Sequence, residues 1–145
     1  MGKSKCAFCQ LQRTDRVFYK DSVCYAVLDL NELTKGHTLL IPMKHYENML
    51  STPEKVISHM YKVAKHLSIK INKTFGAEGS NILTSSGTTA GQDIMHFHIH
   101  IIPRYRTSQG VIRFYYLDSK LKDPQGKEKR LTTLKNLFTK SEIKR

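Results

Sequence analysis

His96, His98 and His100 alternate with Phe97, Ile99 and Ile101. In an extended chain, a period of two puts the three imidazoles on one face and the three apolar side chains on the other. Alternate residues stand about 6.6–6.8 Å apart along a strand. That spacing lets successive side chains contact one extended ligand, such as a chain of phosphates. It also suits metal binding where other elements converge. A neutral imidazole is a competent nucleophile toward phosphorus when its second ring nitrogen carries a hydrogen bond that fixes the tautomer. Its neighbours then stabilise the charge that builds on the phosphoryl oxygens. Just ahead lie Ser85, Ser86, Gly87, Thr88, Thr89 and Gly91. They supply hydroxyls and exposed backbone N–H groups, the donors that hold phosphate oxygens. Residue chemistry alone therefore supports covalent phosphoryl or nucleotidyl transfer.

Cys6-x-x-Cys9 admits three readings: half of a metal site, a redox pair, or two buried small residues. Nothing strand-like precedes it, which weakens the redox reading. A tetrahedral zinc site would need two more ligands from elsewhere. Cys24 reads as a buried small residue. An odd cysteine count behind an N-terminus without a hydrophobic signal core points to a reducing, cytoplasmic compartment.

The elements that must position these residues are legible in outline. Val23, Tyr25 and Val27 alternate, and a strand is expected over 22–29. Residues 31–36 are rich in breakers and make a turn. Residues 38–41 form a second strand closed by Pro42, so the pair reads as a hairpin. Thr52 as a cap, Pro53 at the first helical position and Glu54 in the first turn start a helix over 53–75. Its apolar stripe runs through Val56, Ile57, Met60, Tyr61, Val63, Ala64 and Leu67, and Gly76 ends it. His59 and His66 in this helix read as surface or boundary residues without an evident partner. Residues 81–84 are strand-like. The histidine strand is expected over 94–102, with Pro103 stopping it. Leu131, Leu134, Leu137 and Phe138 make a short amphipathic helix, expected to pack on this domain or on a partner subunit.

A chain of 145 residues can bury about 68–70% of its unfolded surface, enough for one core. With 39% hydrophobic and 25% charged residues, a disordered or collagen-like chain is excluded. No apolar run approaches the ~20 residues of a membrane span, so no membrane partner is expected. The formal net charge of +12 favours anionic partners without choosing among them. Nine Lys/Arg against four Asp/Glu follow residue 117. This stretch reads first as a solvated basic face. A nucleic-acid arm is the less favoured reading, because stacking aromatics are scarce there. The organisation is one domain over 1–106 and a basic extension over 107–145.

His96-Phe97-His98-Ile99-His100-Ile101-Ile102 resembles the signature of the histidine triad (HIT) superfamily. Ala90-Gly91-Gln92 upstream and Ile102-Pro103-Arg104 downstream fit the same family. Asp29 with Gly36-His37-Thr38-Leu39-Leu40-Ile41-Pro42 and Lys44-His45 resembles its nucleotide-binding hairpin. Cys6-Ala7-Phe8-Cys9 resembles the opening of bacterial-type members close to the Hint branch. The resemblance covers roughly residues 6–106.

The resemblance implies an α+β, HIT-like fold: a mostly antiparallel sheet with a long packed helix, assembled as a two-fold homodimer. It implies a hydrolase or nucleotidyl transferase acting at the α-phosphate of purine nucleoside phosphoramidates or dinucleoside polyphosphates. His98 would be the nucleophile, forming a nucleotidyl-histidine intermediate. His100 would donate to the phosphate and assist the leaving group, with His37 lining the same pocket. Asp29 would accept from the ribose hydroxyls. Phe8, Leu30 and Leu39 would sandwich the base, and Gln92 would bind phosphate. Ser85 stands where relatives have Asn or Gln, a departure that bears on leaving-group preference. Members opening with CxxC are similar to zinc-containing ones, which implies structural zinc on Cys6, Cys9, His45 and His96 and no organic cofactor. The alternative is a non-catalytic nucleotide- or RNA-binding module that uses the triad pocket and the basic tail. A purely structural zinc protein leaves His98, His100 and His37 unexplained.

Overall fold

The computed structural model describes residues 6–106 and 124–137. The chain divides into two compact units, Met1–Gln109 and Gly110–Arg145. In the first, the elements are α1 (Ala7–Leu11), β1 (Val17–Lys20), β2 (Cys24–Leu28), β3 (Thr38–Pro42), α2 (Glu54–Phe75), β4 (Gly79–Leu83) and β5 (Ile99–Arg104). The strands form one open sheet in the order β1-β2-β3-β5-β4, with every neighbouring pair antiparallel. This is the α+β architecture that the resemblance implies.

Both sheet faces are covered at the centre. On one side, Met60, Val63, Ala64, Leu67 and Ile71 of α2 pack against Cys24, Ala26, Leu40, Phe97, Ile99 and Ile101. On the other, Tyr25, Val27, Leu39 and Ile41 are capped by Cys6 and Phe8 from the N-terminal segment. Strands covered twice read as continuous apolar runs, which is why Thr38–Pro42 has no polar alternation. Each large side chain buried here contributes roughly 1.5–3 kcal/mol.

Four local readings need correction. α1 and β1 were not foreseen. Thr52 does not cap α2; its hydroxyl donates to the Asn48 carbonyl at 2.8 Å. Pro53 occupies the cap position, and its carbonyl accepts from Val56 and Ile57 N–H. The ladder of β5 begins only at Ile99 and runs through Pro103 to Arg104. Pro103 is tolerated because β3 has already ended: its last pairing with β5 is Thr38 with Ile101. The Pro103 carbonyl accepts from Thr34 Oγ1 on that side at 2.6 Å. A residue's N–H and C=O share a side in a strand, so the missing donor faces no neighbouring strand. Finally, His59 has a partner. Its Nε2 lies 2.8 Å from Asp21 Oδ2, and Asp21 also accepts from Tyr19 OH and from the N–H groups of Val23 and Cys24. Burial opposes charge on Asp21, but these donors outweigh it and hold the carboxyl well below its usual range.

Gly36 turns the chain into β3 at φ +87. A Cβ there would stand 2.9 Å from Phe75 Cδ2 and 3.2 Å from Ile71 Cγ2. Both the left-handed backbone and the contact with α2 exclude a side chain. Gly36→Ala is expected to destabilise the fold by about 1–3 kcal/mol, measured as a lower urea midpoint. An unchanged midpoint would remove this account of the turn.

In the second unit, α3 spans Pro124–Leu137. Leu131 and Leu134 on it are about half exposed, and Phe138 lies outside the described residues. Among the described residues, no helix is long and apolar enough to cross a membrane.

Candidate active site

The histidine alternation survives beyond the sheet ladder. Phe97 N–H donates to the Tyr46 carbonyl at 2.7 Å, which anchors the chain before β5 begins. Phe97, Ile99 and Ile101 therefore enter the α2 core. His98 and His100 face the opposite side, with ring centroids 4.9 Å apart. His37, at the entry to β3, joins them: its Nε2 lies 2.9 Å from His100 Nδ1 and 3.6 Å from Asp29 Oδ2.

Backbone partners fix the tautomers. His98 Nδ1 lies 2.8 Å from the His96 carbonyl. A carbonyl only accepts, so Nδ1 carries the proton and Nε2 keeps a free lone pair. The Leu33 N–H donates to His37 Nδ1 at 3.2 Å, so His37 carries its proton on Nε2 and donates it to His100 Nδ1. His100 is then protonated on Nε2. The site thus presents one nucleophilic nitrogen, on His98, beside one N–H donor, on His100.

Burial favours the neutral rings. It lowers the pKa of His98 despite the carbonyl bond, and that of His37 despite Asp29. His100 falls to about 4, through burial and then its neighbours His98 and His37. His96 also falls to about 4, chiefly through burial. In the unfolded chain such rings titrate near 6.5. Between those values the unfolded state holds more protons, so stability is present above about pH 6.5 and is lost as pH falls toward 4. The urea midpoint is expected to drop steadily over that window; a flat profile would contradict neutral burial.

A cavity of about 670 Å³ opens over this face. His98, His100, Gly91 and Asp93 line it at the triad. Phe8, Leu11, Val27, Leu39, Leu30, Asp29 and His37 line the same cavity. Phe8 meets His98 edge-on with centroids 5.2 Å apart. Leu39 is buried, whereas Leu30 is 78% exposed at the rim. Asp29 is held by the Asn31 N–H on Oδ1 at 2.9 Å, which leaves lone pairs toward the cavity. The expected catalytic residues, Phe8, Leu30, Leu39 and Asp29 thus surround one cavity.

Gln92 and Ser85 do not line it. The Gln92 side chain is buried and fully engaged. Its Oε1 accepts from Gly87 N–H at 2.8 Å, and its Nε2 donates to the Glu47 and Ile94 carbonyls at 2.6 and 2.9 Å. It ties the glycine loop to the segments on either side of it. Arg16, Thr14 and Asn31 also line the cavity; nothing in the sequence around them singled them out.

On the far side of Phe8, Cys6, Cys9, His45 and His96 converge, with their ligand atoms all within 4.8 Å of one another. Cys6 and Cys9 Sγ lie 3.4 and 3.6 Å from His96 Nδ1, and Cys9 Sγ lies 3.4 Å from His45 Nδ1. For tetrahedral zinc with Zn–S near 2.3 Å and Zn–N near 2.0–2.1 Å, the S···N edge is about 3.6 Å. His96 Nε2 faces the Pro42 carbonyl at 3.1 Å, which puts the proton on Nε2 and leaves Nδ1 free to ligate. All three cysteines are free thiols. The donor set fits a closed Cys₂His₂ centre. Cys24 stands apart, buried beside Asp21.

A model of the HIT domain family matches residues 10–107. An uncharacterized HIT-like protein of Methanocaldococcus jannaschii is 36% identical over 129 residues, covering 83% of this chain and 99% of that protein. Adenylylsulfatase HINT3 of Arabidopsis thaliana is 39% identical over 105 residues, 70% of this chain; the chain spans only 53% of that protein. The crystal structure of a zinc-bound histidine triad family protein from Mycobacterium smegmatis superposes with a TM-score of 0.71 at 26% identity, over 94% of this chain and all of that one. With the triad, the hairpin and the cavity in one place, this chain belongs to the HIT family, whose members include nucleotide hydrolases.

Proposed function

We propose that this protein is a nucleotide hydrolase that cleaves at the α-phosphate through a covalent nucleotidyl-histidine. The observation that carries this reading is the tautomer pair: a free Nε2 lone pair on buried His98 and an Nε2–H on His100. His98 Nε2 attacks the α-phosphorus, the P–N bond forms and the bond to the leaving group breaks. His100 hydrogen-bonds the phosphoryl oxygens, where charge develops, gives its Nε2 proton to the leaving group, and recovers a proton from the water of the second step. His37 acts through His100 by holding its tautomer. Water then attacks the nucleotidyl-His98 and releases a nucleoside monophosphate. Asp29 accepts from the ribose hydroxyls, and Phe8, Leu30 and Leu39 hold the base. Gln92 keeps the glycine loop over the phosphate end rather than binding phosphate itself. Zinc on Cys6, Cys9, His45 and His96 serves structure and removes His96 from the chemistry. The free thiols fit a cytoplasmic setting.

The test is a hydrolysis panel: purine nucleoside phosphoramidates, diadenosine polyphosphates and adenylyl sulfate, with monophosphate release followed. Adenylyl sulfate enters because the relative HINT3 is named an adenylylsulfatase. Rapid release from one class supports the reading and identifies the leaving group. Silence across the panel, with AMP still bound, moves the assignment to a nucleotide- or RNA-binding module that uses the basic tail.

We also propose a homodimer formed through β4. This strand lies at the sheet edge and pairs only with β5 among the described residues, and Ile82 on it is 39% exposed. Sedimentation should give twice the chain mass, and Ile82→Lys should shift it toward monomer.

A further inference from the structure

Arg16 lines the cavity, and the proposed reaction does not use it. It immediately precedes β1, whose first residue, Val17, pairs with Val27. Val27 and Leu11 line the cavity as well. Arg16 Nη2 donates to the Leu28 carbonyl at 3.3 Å, between Val27 and Asp29 in the chain. The guanidinium is thus held on the backbone of β2, the strand that contributes Val27 to the lining. Arg16 forms no ion pair among the described residues, so its remaining donors are uncommitted. Two residues before it, Thr14 Oγ1 gives its proton to the Leu11 carbonyl at 2.8 Å and presents only lone pairs to the cavity.

We propose that Arg16 reads the base and makes the cavity prefer guanine to adenine. This rests on the reading above, in which a nucleotide lies with its phosphate at His98 and its base among Phe8, Leu30 and Leu39. Those apolar residues touch the faces of a purine and do not distinguish its edges. A guanidinium is a donor-only fork. Guanine offers it two adjacent acceptors, O6 and N7, whereas adenine sets an N6 donor beside N7. Arg16 matches the first edge and meets a like donor on the second. Thr14, an acceptor, complements the guanine N1–H that adjoins O6. Hypoxanthine keeps O6, N7 and N1–H, so it belongs with guanine.

The test compares guanosine, inosine and adenosine 5′-phosphoramidates with wild type and Arg16→Gln. The wild type should favour the guanosine and inosine substrates over adenosine by about fivefold in kcat/KM, the lower end for a bidentate guanine contact because the arginine is exposed. The difference should lie in KM, and Arg16→Gln should bring the ratio near one. Competition of GMP, IMP and AMP against a fluorescent mononucleotide reads the same preference without turnover. If the protein hydrolyses none of the substrates yet binds GMP over AMP through Arg16, the hydrolase reading fails and this inference stands. Turnover or binding with equal affinities, or a preference that Arg16→Gln leaves intact, overturns it, as does absence of binding.

Discussion

His98→Ala is expected to lower kcat by about three orders of magnitude or more while nucleotide binding survives. The side chain is buried against Phe8 and donates only to the His96 carbonyl. Removing it takes away the one lone pair aimed at the phosphate end and leaves the cavity walls in place. The binding groups, Asp29, Leu39 and Phe8, come from other segments. Depressed basicity makes the loss sharper. Because burial keeps His98 neutral, its nucleophilic form dominates at neutral pH and needs no base to generate it. His37→Gln should cost less, since His37 acts only by orienting His100. The measurement is single-turnover hydrolysis of the best substrate beside AMP affinity and far-UV circular dichroism. A His98→Ala protein that folds, binds AMP and turns over within tenfold of wild type would falsify covalent catalysis by this residue.

The functional face was readable because its signal is local. Three imidazoles at alternate positions, with apolar residues between them, state their own orientation wherever the chain is extended. The hairpin and α2 were readable for the same reason, since apolar periodicity and turn residues report on near neighbours. What escaped depends on distance in the chain. The bond from His59 to Asp21 spans 38 residues, and no pattern at either position announces it. β1 has four residues and α1 five, too few for a period to emerge. The extent of β5 depends on where β3 stops, so Pro103 looked like a terminator when it is an interior residue of the strand. Gln92 stood in a loop of phosphate-binding composition, but its amide is turned inward to three backbone groups. Arg16 is one cation among many in a basic chain. Only the pairing of Val17 with Val27 brings it to the cavity. The cysteine pair lay between these cases: its own spacing left three readings open, and its partners, His45 and His96, come from two other segments.

That convergence leads to the second large effect. Cys6→Ser is expected to abolish stoichiometric zinc and to lower Tm by more than about 10 °C, since structural zinc contributes several kcal/mol and each kcal/mol moves a domain of this size by a few degrees. The centre ties the N-terminal segment to two parts of the chain that the Phe97–Tyr46 and His96–Pro42 bonds already join. Cys6 and Cys9 flank Phe8, His45 follows β3, and His96 opens the triad. Without the metal, two thiols and two imidazoles remain buried or half-buried with weak contacts at 3.4–3.6 Å. The N-terminal segment loses its anchor, and Phe8 with it leaves the base end of the cavity. The catalytic consequence therefore differs in kind from that of His98→Ala. KM for the nucleotide should rise severalfold at a temperature where the variant is folded, while kcat falls less, because His100 is held by β5 and His37, and His98 by the backbone carbonyl of His96 rather than by its ring. Metal analysis of protein purified without chelator should find one zinc per chain in wild type and none in Cys6→Ser. His66→Ala on the exposed face of α2 should change neither zinc nor Tm. Wild-type protein that carries no zinc and melts at the same temperature with and without a chelator would show that these four residues pack as a cluster of free side chains.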